Sequence, residues 1–489
     1  MKKIFLILLA IVPFSMMGQN IYDIYNVSTS YYQGTAKGMA MGNAMGAVGE
    51  DFSSIAINPA GVGLFRKPTL IFTPSILTTY TKSELNEDLA TDSKAKLSVN
   101  NFGIVGINKS GKRITTWAIG MNRTNNFNNS VFVDGYNNNN SLIDAYFAEI
   151  IANDIYNEKE LDYYSPSYIY PLWETYLINF ENDGTLTTPV PAGGLRQLKG
   201  VSSWGGTNEW TFTSGINFSD KFFLGISINM PYVYSKKITD YKEEFTIEGR
   251  DYYWIQEEAL ATTGWGLNSK FGLIAHPCRW LRIGASIHTP TLYELTDSWK
   301  TATVSYLDFG TYEHNVPTSY FSYSMMTPWR ANGSLALIFG NFGMITADYE
   351  YVDYSTIRIA DNEYDYSEYN QFLSQTFKPT MNLRLGTEWR YQNMCFRGGY
   401  SFYGSPYGIE SSDYRRNALS CGFGYTQHFF TIDFAYVYTL QNHSYNLYSQ
   451  YTNYYEEVAP NLIVDEKTNI HSLVVSLKLK LDIIAKNGW

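Results

Sequence analysis

Cysteine is scarce in this chain, and the few that occur form no recognisable pattern. The sequence has 489 residues but only 3 cysteines, Cys278, Cys395 and Cys421. Their odd number and wide spacing exclude a disulfide framework and match no metal-ligand motif. We therefore predict strand or turn positions for all three rather than redox or metal-binding roles, and we expect no metal and no cofactor.

A long apolar run is also missing beyond the N-terminus. No stretch of about 18 apolar residues follows residue 18, so the sequence predicts no transmembrane helix. A membrane barrel strand needs only about ten residues of alternating character, which a search for apolar runs does not detect. Positive charge is low as well. The formal net charge of -10 and the pI of about 5.2 argue against a nucleic-acid partner.

The first 18 residues have the organisation of an export signal. Lys2 and Lys3 precede an apolar run, residues 4–12, that is too short to span a bilayer. Cleavage after Gly18 would release a mature chain that begins at Gln19. We therefore predict a signal peptide over residues 1–18 and an exported protein.

Aromatic residues and alternating sequence are abundant. Aromatics make up 17% of the chain, including 42 Tyr, and they suit the interfacial girdles of a membrane barrel. Period-two alternation predicts strands. It is clearest over residues 469–481, where leucine and valine alternate with serine and lysine. We predict fourteen strands, at residues 68–80, 97–108, 112–124, 207–219, 221–234, 261–276, 279–289, 328–340, 342–354, 379–391, 394–403, 416–427, 428–441 and 469–481.

The predicted connections alternate between short turns and long polar loops. A soluble sandwich has no reason for such segregation, whereas an outer-membrane barrel has short periplasmic turns and long external loops. The fold class is therefore all-β: a transmembrane antiparallel barrel of about 14 strands over residues 66–489, with both termini in the periplasm. The predicted long loops are residues 81–96, 125–206, 235–260, 290–327, 355–378, 404–415 and 442–468.

The longest loop, residues 125–206, exceeds the length that a connection needs. Residues 142–151 would form a short amphipathic helix, and the loop would then lie as a lid over the outer mouth of the barrel. A solvated surface loop is the alternative.

Residues 19–65, between the signal and the first strand, are predicted to form a plug. Fourteen strands enclose a lumen too wide for side chains alone to fill. Glycines at four-residue spacing would give a helix one bare face for close packing against the wall, and an Asn-Pro-Ala-Gly turn follows an acidic stretch. A membrane helix dimer and a phosphate-binding loop fit less well, because the segment has few apolar residues and no strand precedes it. The predicted hatch and gate residues are Gly34, Gly38, Gly42, Gly46, Asp51, Asn58, Pro59, Ala60 and Gly61.

Charged residues of both signs lie on the predicted lumen side of the strands. One interpretation is that they form salt bridges between the wall and the plug. The other is that an arginine meets a ligand carboxylate, for which the planar guanidinium fork is suited. The candidate ligand contacts in the lumen are Arg330, Arg384 and Arg397.

The N-terminal segment resembles the start of the mature chain in the FadL/TodX family of outer-membrane transporters for hydrophobic compounds. The family pattern is a small-residue stretch, an acidic-Ser/Thr stretch and Asn-Pro-Ala-Gly, found here at residues 38–49, 50–54 and 58–61. The resemblance implies a fourteen-stranded barrel with an N-terminal hatch, ligand binding near the outer loops, and a path opened by hatch movement with a kinked strand. Further similar blocks are residues 281–290, 327–330 and 385–407.

The sequence thus predicts passive outer-membrane transport of small hydrophobic or amphipathic molecules, such as long-chain fatty acids, gated by the hatch. A surface-binding or adhesion barrel with long aromatic loops and a general porin are the alternatives. No catalytic motif occurs, so we expect no enzyme. Expected partners are the hydrophobic ligand, outer-membrane lipid and the barrel-assembly machinery, the last through the aromatic C-terminal region that ends at Trp489.

Overall fold

A computed structural model describes residues 21–481, with gaps at 111–112, 182, 363, 408–413, 449–450, 454–455 and 458–461. The predicted signal peptide and the C-terminal residues 482–489 lie outside the described residues. Fourteen antiparallel strands form one closed sheet. They are β1 (Thr69–Leu85), β2 (Asp88–Ser110), β3 (Arg113–Asn126, continued by Asn129–Asn137), β4 (Leu195–Phe218), β5 (Phe222–Ile247), β6 (Arg250–Cys278), β7 (Leu281–His288, continued by Leu292–Leu307), β8 (Gly310–Asn315, Ser319–Met326 and Arg330–Phe339), β9 (Gly343–Asp353, continued by Arg358–Ala360), β10 (Pro379–Tyr391), β11 (Met394–Tyr403), β12 (Arg416–Thr426), β13 (Phe430–Asn446) and β14 (Ile463–Lys480).

The barrel closes between its first and last strands. β1 pairs with β14 in a register that runs from Thr69 opposite Lys480 to Leu85 opposite Val464. Closure leaves no open sheet edge. A sheet that spans a bilayer must close in this way, because lipid offers backbone groups no hydrogen-bond partner. The predicted strand number and architecture are confirmed.

Alternation along each strand separates a lipid face from a lumen face. On β10, Met381, Leu383 and Leu385 are exposed, whereas Asn382 and Arg384 between them are buried. Similar exposed apolar residues follow one another around the outside of the barrel. An apolar outer band with a polar interior is the surface of a barrel that spans a membrane.

Several predicted loops are strands instead. Residues 81–96 and 235–260, and most of 290–327, extend the strands into long hairpins, and β13 and β14 likewise take up the two ends of 442–468. The prediction was wrong here because the outward residues beyond the lipid band are Thr, Lys and Glu. Alternation in hydropathy therefore fades, although strand pairing continues and Thr and Tyr still favour it.

Strands β7 and β8 are interrupted side by side, at residues 289–291 and 327–329. Pro290 and Pro328 lie in these breaks, and proline lacks the N–H that a ladder needs. The two breaks are bonded to each other: Thr327 N donates to Thr291 O at 3.1 Å, and Thr291 N donates to Thr327 Oγ1 at 2.9 Å.

Helical segments fill the barrel. The hatch contains α1 (Ile21–Ser28), α2 (Ala36–Ala40), α3 (Phe52–Ile57) and a 3-10 helix (Pro59–Leu64). The segment between β3 and β4, residues 138–194, contains α4 (Leu142–Ala152), α5 (Glu158–Tyr164) and α6 (Tyr170–Glu174), and we call it the lid. The helix predicted at residues 142–151 is therefore present. Among the described residues no helix has the length and apolar character needed to cross a bilayer. The other elements are a 3-10 turn (Tyr354–Thr356), α7 (Ser367–Thr376) and two short ladders, Asn179–Phe180 with Leu186–Thr187 and Tyr451–Asn453 with Glu456–Glu457.

Strand β5 meets each layer of the lumen in turn. Near its start, Phe223 packs with Ala60 and Leu64 of the hatch. Midway, Val233 packs in the cluster that surrounds α1. Near its end, Tyr241 packs against the lid. We call the end of the barrel with the short turns the turn end and the opposite end the loop end. The lumen is therefore filled from the turn end to the loop end.

Candidate functional site: a hatch held by a ring of glycines

Local capping determines the fold of the hatch. Thr35 caps α2, Asp51 caps α3 and Asn58 caps the 3-10 helix, each through a side-chain oxygen that accepts from a backbone N–H two or three residues later. Such caps satisfy N–H groups that a helix start leaves unpaired. Pro59 occupies the first turn after Asn58, where its missing N–H costs nothing. The predicted turn at residues 58–61 is therefore present.

The predicted continuous helix with a bare glycine face is absent. α2 covers only residues 36–40, and Gly42 then takes a left-handed φ of +59°, which suits glycine and ends the helix. Gly34 and Gly38 face Ser53 within the hatch, and only Gly42 and Gly46 face the barrel wall. The spacing of four thus supports two tight contacts inside the hatch and two against the wall, rather than one helical surface.

Glycines of the barrel wall lie opposite the hatch, and we call this set the glycine ring. Each occupies an inward-facing position, and a Cβ there would collide with a hatch atom. On Gly386 it would lie 2.5 Å from Met41 O, and on Gly284 it would lie 2.5 Å from Gly46 O. The hatch backbone therefore approaches the wall more closely than any side chain would permit. The ring consists of Gly103, Gly120, Gly215, Gly225, Gly272, Gly284, Gly386, Gly399 and Gly422.

Asp51 connects the hatch to the wall by charge. Its fully buried carboxylate accepts from Thr35 Oγ1 at 2.6 Å and forms an ion pair with Lys478 of β14. Burial alone would raise the pKa of Asp51, but the ammonium groups of Lys478 and Lys37 and the hydrogen bond from Ser53 lower that pKa to about 2. Asp51 is thus held in its charged form inside the barrel.

The charges continue along the wall from Lys478. Lys478 Nζ lies 3.8 Å from Asp433 Oδ2, and Arg397 binds Asp433 and Glu388 at 2.7 Å each. Lys37 of the hatch approaches Glu388 at 3.9 Å. Such pairing offsets the penalty that each of these buried charges incurs on leaving water.

A second polar cluster holds Arg330 and Arg384. Both guanidinium groups contact Glu350, at 3.2 and 3.5 Å. Arg330 Nη2 also donates to Ser28 O at the end of α1, at 2.6 Å. Arg384 donates to Asn332 Oδ1 at 3.0 Å, but its Nε and Nη1 have no hydrogen-bond partner among the described residues.

Further wall side chains bind hatch carbonyl groups. Lys270 Nζ donates to Ala56 O at 3.0 Å, and Arg282 Nη1 donates to Val48 O at 2.9 Å. Ser286 and His288 both contact Ile57 O, at 2.7 and 2.8 Å. Hatch and wall are therefore joined by polar contacts and close glycine packing, in addition to apolar contacts such as those of Ala40, Phe52 and Leu64 with the wall.

The lid is fastened to the barrel by Glu243 of β5. This carboxylate is fully buried and accepts from Ser141 Oγ (2.6 Å) and Leu142 N (2.8 Å) at the start of α4. It also accepts from three wall donors, Gln197 Nε2 (2.8 Å), Tyr241 Oη (2.7 Å) and Trp254 Nε1 (2.9 Å). Around this anchor, lid side chains pack with wall residues of β1, β3, β4, β5, β6, β7 and β14.

No metal-binding group of three or more His, Cys, Asp or Glu side chains occurs in the part of the chain that the structure describes. The three cysteines are free: Cys278 and Cys395 are half-buried, and Cys421 is exposed.

Sequence comparison gives no relatives: no protein-family model matches the chain, and no curated protein is similar to it. Comparison of structures finds similar folds. A Pseudomonas aeruginosa FadL homologue superimposes with a TM-score of 0.54 at 10% identity, covering 91% of this chain and 98% of the other. The Pseudomonas putida toluene transporter TodX superimposes with a TM-score of 0.52 at 12% identity, covering 93% and 100%. The chain has the FadL/TodX fold. The resemblance seen in the N-terminal motifs is confirmed at the level of fold.

Within this FadL/TodX fold, the predicted site residues form two groups, the hatch residues and the three arginines. The hatch residues all lie inside the barrel, buried at the turn end. The three arginines are also buried, and each is paired with a carboxylate. Sequence reasoning missed the glycine ring and Glu243. Glycines at inward-facing positions of successive strands were the sequence signal that would have located the ring.

Proposed function

We propose that this chain is a passive outer-membrane transporter of a Gram-negative bacterium for small hydrophobic or amphipathic molecules, gated by its hatch. The observation that carries the proposal is a barrel filled at the turn end by a hatch that closes it through glycine contacts and exchangeable polar bonds. A permanently open porin would not need such a closure. The two structural neighbours, a FadL homologue and a toluene transporter, support the same function.

Gating by the hatch follows from how it is attached. Its wall contacts combine ion pairs, hydrogen bonds and backbone-to-glycine contacts with apolar contacts to wall side chains. Neutral hydrogen bonds exchange with water at a net difference of about 1 kcal/mol each, and those to charged groups at about 1.5–3 kcal/mol. The polar contacts are therefore the part of the attachment that can be exchanged for contacts with water when the hatch moves.

Long-chain fatty acids are the ligands that we propose, and Arg384 is the contact we favour for their carboxylate. It is the arginine whose Nε and Nη1 have no hydrogen-bond partner among the described residues, and charged N–H groups are strong donors to a carboxylate. Arg330 and Arg397, bound to the hatch and to two carboxylates respectively, would hold the closed state. Hatch movement would expose Arg384 to the lumen.

A reversible crosslink between hatch and wall tests the gate. A Cβ on Gly46 would lie 3.0 Å from Ser334 Cβ, so Gly46→Cys with Ser334→Cys needs only a small adjustment to form a disulfide. The three native cysteines are replaced by serine. Uptake of a fatty acid and of a neutral arene into proteoliposomes should fall to the level of empty liposomes when the pair is oxidised, and recover on reduction.

The same assay separates the parts of the proposal. Uptake by the reduced protein that equals that of empty liposomes would refute transport. Full uptake by the oxidised protein would refute hatch gating while leaving transport intact. Arg384→Met should lower uptake of the acid but not of the arene, and equal effects on both would refute the carboxylate contact.

A further inference from the structure

A groove interrupts the outer, lipid-facing surface of the barrel where β12, β13, β14 and β1 meet. It has a volume of about 670 Å³. Tyr80, Leu419, Tyr436 and Tyr438 form its sides, and Cys421 is exposed within it. The register sets Cys421 opposite Tyr436, and Leu419 opposite Tyr438, on neighbouring strands. A small residue between large aromatic ones creates the depression.

The groove carries polar groups on a surface that is otherwise apolar. Tyr436 Oη lies 2.7 Å from His471 Nδ1, and Tyr438 Oη donates to Asn469 Oδ1 at 2.8 Å. In the tautomer in which Tyr436 Oη donates to Nδ1, Nε2 of His471 carries the proton, and Nε2 and the Nδ2 amide of Asn469 are then the donors for a further partner. Polar groups on a lipid-facing surface are expensive unless they are paired or used.

The height of the groove identifies what meets these donors. His471 lies nine residues from Lys480, the turn-end residue of β14. At a rise of about 3.3 Å per residue and a strand tilt of about 40°, this corresponds to roughly 23 Å along the barrel axis. The apolar band of such barrels is about 25 Å tall. The donors therefore lie at the loop-side interface, where lipid head groups begin, while the groove runs towards the acyl chains.

We propose that this groove is a binding site for one phosphate-bearing lipid of the surrounding membrane. Its acyl chain lies against Cys421, Leu419 and Tyr436, and its phosphate accepts hydrogen bonds from His471 and Asn469. Position and chemistry together indicate this partner: only lipid lies against this face, and only an acceptor-rich head group matches two donors at this height. The site is independent of transport through the lumen.

Native mass spectrometry of the purified full-length barrel tests the site with phosphatidylglycerol and diacylglycerol as probes. The wild type should retain phosphatidylglycerol. Diacylglycerol, which has the chains without the phosphate, should bind about tenfold more weakly, equivalent to ~1.4 kcal/mol. The double variant His471→Leu with Asn469→Leu should lose that preference. Inorganic phosphate should not compete, because it has no chain to fill the groove.

A steric variant separates the groove from the rest of the barrel surface. Cys421→Trp fills the groove and should abolish retention of both lipids. Ala347→Trp is the matched control, because Ala347 is a small residue on the outward face of β9 between Ile345 and Tyr349, which are both exposed. Heat-modified mobility on gels checks that every variant folds. Equal retention by the two tryptophan variants would refute the groove, and equal retention of the two lipids by the wild type would refute phosphate recognition.

Discussion

Replacement of Glu243 by alanine should release the lid. Glu243 accepts five hydrogen bonds, two of which come from the lid itself, through Ser141 Oγ and Leu142 N. Among the described residues it forms no ion pair with Lys, Arg or His. Its charge is therefore stabilised by these donors and by the start of α4, where the helix dipole is positive.

The magnitude follows from the two bonds that cross from lid to wall. A hydrogen bond to a charged group contributes about 1.5–3 kcal/mol net of the exchange with water. Two such bonds amount to at least ~3 kcal/mol, so the equilibrium constant for lid opening should rise more than about a hundredfold. Ser141→Ala removes one of these bonds, at least ~1.5 kcal/mol, and the cap of α4, about 1 kcal/mol, so its effect should be somewhat smaller than that of Glu243→Ala.

Hydrogen–deuterium exchange of α4 measures the opening directly. Amides of α4 should exchange more than about a hundredfold faster in Glu243→Ala if opening is followed by rapid closing, with an intermediate change for Ser141→Ala. Glu244→Gln is the control, because Glu244 is partly exposed and pairs with Lys242 and Arg196 on the barrel wall. Amides of the turn-end half of the barrel should be unaffected. If α4 in Glu243→Ala exchanges within a few-fold of the wild-type rate, the carboxylate does not fasten the lid.

Three further predictions concern the hatch. The pKa of Asp51 is lowered to about 2 from an ordinary value of 3.8, so its charged form should stabilise the docked hatch by about 2 kcal/mol above pH 4, and this contribution should be lost as the pH falls towards 2. Channel conductance should therefore rise in a step over this acid range, and Asp51→Asn should abolish the step. A step that persists in Asp51→Asn would assign it to another group. Gly42→Val should raise basal conductance in planar bilayers, because its Cβ would lie 2.8 Å from Leu385 O on a left-handed backbone; silent channels would contradict the fit. Gly386→Leu should open the channel from the wall side, whereas Gly333→Leu should not, because Gly333 has open space beside it; equal conductance of the two would exclude the glycine ring from the closure.

The lipid-spanning part of each strand could be predicted from the sequence because lipid imposes period-two alternation. On β14, Leu473, Val475 and Leu477 face outward and Ser472, Ser476 and Lys478 face inward, and the fourteen predicted segments all fall on strands. Beyond the lipid band this constraint ends. In residues 235–260 most outward positions are polar, and apolar side chains such as Tyr241, Phe245 and Trp254 face inward against the lid, so the alternation that lipid imposes does not mark this part of β5 and β6.

The hatch could be recognised from the sequence, but its contacts with the barrel wall could not be predicted. Its caps at Thr35, Asp51 and Asn58 are local, and Asn-Pro-Ala-Gly specifies its turn within four residues. Its contacts with the wall are non-local: Gly42 and Gly386 are far apart in sequence, and neither alone indicates the other. Glu243 was missed for the same reason, since in sequence it is one of several acidic residues in a polar stretch.

The two halves of the plug differ in what opening them would expose, and this sets the order of opening. α1 carries Ile24 and Tyr25 into an aromatic cluster with Tyr354 and Phe377, and withdrawing it would return that apolar area to water at about 25 cal/mol per Å². The turn-end half is attached by ion pairs, hydrogen bonds and glycine contacts in addition to apolar contacts with the wall. On the proposed route, a ligand from the loop end meets the aromatic cluster of α1 before it meets the turn-end half. Its own apolar surface can replace the contacts of α1 in that cluster, whereas release of the turn-end half must also break the buried ion pair between Asp51 and Lys478. Opening should accordingly depend on the ligand at α1 and on salt and pH at Asp51.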